Sequence, residues 1–171
     1  DNSTLYNNAS SIGAGIGNDG TMSIRGSTIS TNTDQLRPPM FLNGGTIAGS
    51  GIMTVTNSII ANTTDGPNCM SQFTSFGHNL DSDGSCALTA PGDQSNLDPK
   101  LAPLADNGGS TYTQALLPGS PAINAGDNIT CPATDQRGVT RPQGEVCDIG
   151  AYEVQGTFIA ACTDYYVYQI D

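Results

Sequence analysis

The sequence predicts an all-β chain wound as a parallel β-helix, on three observations: a recurring phrase, a period of two inside it, and a composition hostile to helices. Of 171 residues, 21 are Gly, 12% are charged and 6% aromatic, and there is no Trp. Disordered chains share the small polar residues, but here the apolar residues are β-branched and regularly placed, which disorder does not require. Glycine at this density leaves no room for the long return helices of a leucine-rich repeat.

The phrase appears as "NSTLYNNA" at 2–9, "GSTISTNT" at 26–33 and "NSIIANT" at 57–63. Its closing residues Asn8, Asn32 and Asn62 stand 24 and 30 residues apart, the excess being the insertion "DQLRPPMFLN" at 34–43. Periods of that length mark stacked architectures. Within the phrases Met22 and Ile24 alternate with Thr21, Ser23 and Arg25, and Met53 and Val55 alternate with Thr54 and Thr56, which is strand periodicity. Stacking such strands in parallel, about 4.8 Å apart, places Met22 over Met53, Ile24 over Val55 and Ile29 over Ile60 as interior ladders. Asn8, Asn32 and Asn62 are then expected as a corner ladder, because Asn tolerates the left-handed conformation a tight bend needs. An antiparallel sandwich would need hairpin turns every 8–12 residues and no long repeat.

Residues 1–64 are read as repeat coils, 65–156 as C-terminal coils with disulfide loops, and 157–171 as a terminal strand, all in one domain. Cys69 and Cys86 bracket one Gly/Asn/Asp-rich loop, and Cys131 and Cys147 bracket another. None of these gaps has zinc-ligand spacing, so two disulfides in an oxidising compartment are expected, each contributing about 3 kcal/mol by restricting the unfolded chain. Cys162 is left over.

The formal charge of −11 and pI of about 4.1 come from Asp far more than Glu, since only Glu145 and Glu153 occur. Asp without Glu marks turns and loops. Five basic residues cannot neutralise a run of phosphates, so nucleic acid is not expected as a partner. No apolar run approaches the ~20 residues of a membrane span. The chain is expected to be a mature fragment from which an export signal has been removed.

The string from 96 to 153, with "SPAINAG" at 120–126 and "DQRG…RP…CDIGAYE" at 135–153, resembles the C-terminal signature of secreted bacterial β-helix proteins carrying a choice-of-anchor Q domain. The resemblance implies a right-handed parallel β-helix outside the cell or on its surface, with no catalytic residues to carry over. Family members continue past "GAYE" into sorting or anchoring tails, whereas this chain runs on as "VQGTFIAACTDYYVYQID".

Candidate sites are few. His78 is the only histidine, and "FGHNL" reads as a bend rather than a nucleophile's neighbourhood. "DSDGS" at 81–85 opens like a calcium loop, but the twelfth position is Gly92 where a bidentate carboxylate is needed; weak calcium binding is the only metal interaction entertained, and no cofactor is expected. Asp135, Arg137, Arg141, Asp148 and Glu153 form the densest charge group and read as an ion-paired cap, with a carbohydrate-active site as the competing use. Sequons begin at Asn2, Asn8, Asn62 and Asn128. Two of these coincide with proposed corner residues, where a glycan would compete with stacking, so the set is ascribed to composition.

The chain opens inside a repeat, and the tail alternates Tyr166, Tyr168 and Ile170 against Tyr165, Val167 and Gln169. An uncapped strand edge at one end and an unpartnered strand at the other suggest head-to-tail association of copies, through Leu5, Tyr6, Phe158, Ile159, Cys162, Tyr165, Tyr166, Tyr168 and Ile170. The function expected is an extracellular structural, surface or fibre-forming module, not an enzyme. Its partners would be copies of itself and surface polysaccharide; the alternative is a carbohydrate-binding or carbohydrate-active β-helix.

Overall fold

Short β-branched strands separated by Gly and Asn can pair only with their equivalents one repeat away, and the computed structural model of the chain has this arrangement. It describes residues 1–35, 45–71 and 73–156, with no helix among them. The terminal strand expected over 157–171, with Phe158, Ile159, Cys162, Tyr165, Tyr166, Tyr168 and Ile170, lies outside the described residues, as does the insertion from 36.

The described residues form twelve strands: β1 Thr4–Tyr6, β2 Ala9–Ser10, β3 Ile16–Gly17, β4 Thr21–Arg25, β5 Thr28–Ser30, β6 Thr33–Asp34, β7 Ile47–Ala48, β8 Ile52–Thr56, β9 Ile59–Ala61, β10 Thr74–Ser75, β11 Leu80–Asp81 and β12 Gln94–Ser95. All named strands pair in parallel, in a five-stranded sheet β1-β5-β9-β11-β12, a three-stranded sheet β10-β8-β4, and the pairs β2-β6 and β3-β7. Met22 faces Met53, Ile24 faces Val55 and Ile29 faces Ile60. The parallel pairing does not stop at residue 64 but runs on to Ser95. Its last strands are two residues each and largely polar, too short to register as a hydrophobic repeat.

Two cores follow from the alternation of side chains across each strand. Inward residues Ile24, Ile29, Ile47, Met53, Val55 and Ile60 pack together with Cys69 inside the stack. Outward residues of the five-stranded sheet, Ile59, Ala61 and Leu80, pack instead against Leu116, Ala122 and Ile149 of the segment after residue 98. That segment therefore lies over the sheet's outer face. Thr4 donates to Gln136 at 2.6 Å, Ser30 to Gln114, and Ala151 N–H to Thr28 Oγ1 at 3.0 Å. Gly150, at φ +100°, lets the backbone come this close: a Cβ there would sit 2.8 Å from Ile59 Cδ1 and from Thr28 Oγ1.

Disulfides join Cys69 to Cys86 and Cys131 to Cys147. The first ties the crossing loop after β11 to the third pass of the chain. The second closes the loop that carries Arg137 and Arg141.

Candidate functional site

Three places in this framework gather chemistry-bearing residues: the corners of the stack, the charged cluster near residues 135–153, and the layer formed by β1 to β4.

At the corners, the expected Asn8–Asn32–Asn62 ladder requires correction. Tyr6 pairs with Ser30 and Ser30 with Ala61, so the next residues in register are Asn7, Thr31 and Asn62. These three have φ of 55°, 55° and 56°, whereas neither Asn8 nor Asn32 is left-handed. The repeat offset here is 31 rather than 30, as Thr28 faces Ile59. Asn32 has another task. Fully buried, it accepts from Asn8 N–H at 2.9 Å and Asn8 Nδ2 at 3.0 Å, and donates to Leu5 O at 3.2 Å. Asn68 repeats this one pass later, accepting from Thr63 N–H at 3.2 Å and donating to Ile60 O at 3.1 Å.

A second corner precedes the five-stranded sheet and escaped the sequence reading. By the register of Thr4, Thr28, Ile59, Leu80 and Gln94, the residues two positions earlier form a column: Asn2, Gly26, Asn57, His78 and Gly92, all with positive φ. The column beside it is a hydrogen-bond ladder. The N–H of Ser3, Ser27, Ser58 and Asn79 donates in turn to Ser27 Oγ (3.3 Å), Ser58 Oγ (3.2 Å), Asn79 Oδ1 (3.0 Å) and Asp93 Oδ1 (2.9 Å). The signal was the "NS/GS/NS" opening each phrase, continued as "HN" and "GD". His78 is a corner residue, its Nδ1 2.8 Å from Ala125 O and its ring where a Gly92 Cβ would stand.

The charged cluster assembles as one buried network. Arg137 bonds Asp135 Oδ2 through Nε at 2.9 Å and Nη2 at 2.7 Å, and lies 3.6 Å from the centre of the Tyr152 ring. Arg141 donates to Asp148 O at 2.7 Å and Gly150 O at 2.6 Å, and stands 3.6 Å from Glu153. Each carboxylate oxygen is taken by backbone N–H: Asp135 by Arg137, Val139 and Glu153; Asp148 by Asn124 and Val154; Glu153 by Gln143 and Asp148. Burial pushes Asp148 and Glu153 above the usual carboxylate range against those bonds and the Arg141 charge, and it lowers Arg141 against the pull of Glu153. With their lone pairs committed to N–H groups, these carboxylates hold a loop together rather than face a substrate.

"DSDGS" is a turn of the same kind. Asp81 Oδ2 accepts Cys86 N–H at 2.9 Å, and Asp81 Oδ1 accepts Asn68 Nδ2 at 2.8 Å, while Asp83 Oδ1 accepts Ser85 N–H at 2.9 Å. Burial raises Asp81; Asp83, also partly buried, is nonetheless held low by bonds from Ser85 and Asn68.

The layer β1 to β4 supplies the outermost strand of all four sheets. It surrounds a cavity of about 420 Å³ lined by Leu5, Ile16, Met22, Ile24 and Ile29. Leu5 is half-buried at the cavity, and Tyr6, half-buried too, is not among its lining residues. The outer face of β4, β8 and β10 stays open, with Thr21, Ser23, Ile52, Thr54 and Thr74 along it and no carboxylate on those strands.

No protein-family model, curated protein or solved structure matches the chain.

Proposed function

We propose that the chain is an extracellular structural module: a right-handed parallel β-helix whose first layer, β1 to β4, accepts a further β-layer from another copy. The resemblance to choice-of-anchor Q proteins supports the handedness, as does the strong preference of parallel crossovers for that hand. Two disulfides and the absence, among the described residues, of a helix able to cross a membrane are consistent with a protein outside the cytoplasm.

The observation that carries the proposal is the composition of that layer. Four outermost strands, each with one edge unpaired among the described residues, ring a mostly apolar cavity, and paired edges plus buried Leu5 and Met22 are what an incoming strand would gain. The carbohydrate-active alternative finds less support: the five-stranded sheet is covered by the C-terminal segment, and the open face of β4, β8 and β10 carries Thr and Ser rather than paired carboxylates.

Sedimentation and electron microscopy of the 171-residue protein test this. Linear assemblies are expected, with a chain ending at Gly156 remaining monomeric if the tail supplies the strand. Monomers of the full chain at all concentrations would overturn the association; filaments from the shortened chain would keep the association and discard the tail as donor.

A further inference from the structure

We propose that Asn62 is an acceptor site for an N-linked glycan. The four sequons look alike in sequence and differ sharply in structure. Asn2 donates its amide to Thr134 O at 2.7 Å. Asn8 spends its amide on Asn32 at 3.0 Å. Asn128 uses both ends, donating to Glu145 O at 3.2 Å and accepting from Cys147 N–H at 2.8 Å beside a disulfide. A sugar on any of these nitrogens would take one of its two hydrogens and crowd a bond that joins separate parts of the chain.

Asn62 is different. It shares its exposure with Asn8 and Asn128 and its left-handed backbone, at φ 56°, with Asn2; what sets it apart is that its only hydrogen bond among the described residues is from the backbone N–H to Ser82 Oγ at 2.9 Å, which leaves the side-chain amide without a partner there. Thr64, the third residue of the sequon, is also exposed, with its own N–H held by Asn32 O at 2.9 Å and its hydroxyl without a partner among the described residues. The objection that a glycan here would disturb stacking also falls. The stacking amides are the buried Asn32 and Asn68, and Asn62 lies one residue out of that register. In cells that N-glycosylate exported chains, the oxidising compartment that forms disulfides is also where the glycan is attached.

The donor is a lipid-pyrophosphate-linked oligosaccharide. Asn62 Nδ2 forms a bond to the sugar C1, the C1–O bond to the pyrophosphate breaks, the lipid pyrophosphate leaves with that electron pair, and the amide nitrogen gives up one proton. The site lies on the side of the stack, on neither the β1–β4 layer nor the covered sheet face. Its occupation is therefore independent of the association proposed above.

The test is intact-mass analysis of the full chain secreted from cells carrying the N-linked machinery, before and after an amidase that removes N-glycans and leaves aspartate. One glycan is expected, localised to residue 62. It should be lost in Asn62→Gln and Thr64→Ala, kept in Thr64→Ser, and kept in Asn2→Gln, Asn8→Gln and Asn128→Gln. Asn62 makes no side-chain bond among the described residues, so Asn62→Gln should stay folded and unfold at most a few degrees below wild type, the cost of a residue other than Asn at φ 56°, while Thr64→Ala should unfold at the wild-type temperature. That control separates lost modification from lost folding. An unmodified wild-type chain, a glycan that survives Asn62→Gln, or equal occupancy of the other three sequons would each overturn the assignment.

Discussion

Buried polar side chains set the register of this stack residue by residue. Ser27, Ser58, Asn79 and Asp93 each accept the N–H of the preceding rung, and an N–H stripped of its partner inside a protein costs about 1–3 kcal/mol. Ser58→Ala removes the acceptor for Ser27 N–H, in a place where both residues are buried. Urea denaturation should therefore show Ser58→Ala destabilised by about 1–3 kcal/mol with the m-value unchanged. Thr31 presents the reverse case. It is β-branched yet held at φ 55°, between Asn7 and Asn62 in its column. Asn tolerates that conformation better, so Thr31→Asn should stabilise the protein by roughly 0.5–1 kcal/mol in the same titration. No gain would mean that the bend is not strained by its side chain.

Among the elements, the cap at 135–153 shows how a loop without regular structure is made rigid. Asp148 supports Asn124 and Val154, Ile149 fills the outer core, Gly150 permits close approach, Ala151 reaches Thr28, Tyr152 receives Arg137, and Glu153 anchors Gln143. Burial raises Asp148 and Glu153, as it does Asp81. A carboxylate whose folded pKa exceeds its unfolded value binds its proton more tightly in the folded state. It therefore favours folding below the unfolded value, and that contribution is lost as pH rises through the folded one. Asp127, held low by the N–H of Ile129, acts in the opposite sense, losing its contribution as pH falls. The thermal midpoint should thus rise as pH is lowered from neutral toward the ordinary carboxylate value of about 4, then fall below it, where the contributions of Asp127 and Asp83 are lost. In Glu153→Gln the rise should shrink. A midpoint flat between those values would show that the buried carboxylates are not ionised against their environment.

The whole molecule has unequal faces. One face of the five-stranded sheet is interior and the other is roofed by the C-terminal segment, whereas the layer β1 to β4 borders a cavity with Leu5 and Met22 only half-buried. Charge at that layer should oppose an incoming strand more than it opposes folding. Leu5→Asp is expected to leave a folded monomer by circular dichroism and sedimentation, at concentrations where the wild-type chain assembles. Assembly of Leu5→Asp equal to wild type would place the contact elsewhere.

The sequence by itself determined the all-β class, the facing pairs Met22–Met53, Ile24–Val55 and Ile29–Ile60, and the two loops bracketed by cysteines, because period-two alternation and repeat spacing are local properties of a chain. It also contained the Ser/Asn/Asp ladder, though in residues too varied to read as one column. Only the tertiary structure decided that Asn62 belongs with Thr31 rather than Asn32. A single residue of offset exchanges inward for outward side chains, and neighbouring rungs alone choose between the two registers. The same holds for the roof over Ile59 and Leu80. An outward apolar side chain on a strand carries no mark of the distant segment, Leu116 to Ile149, that will cover it.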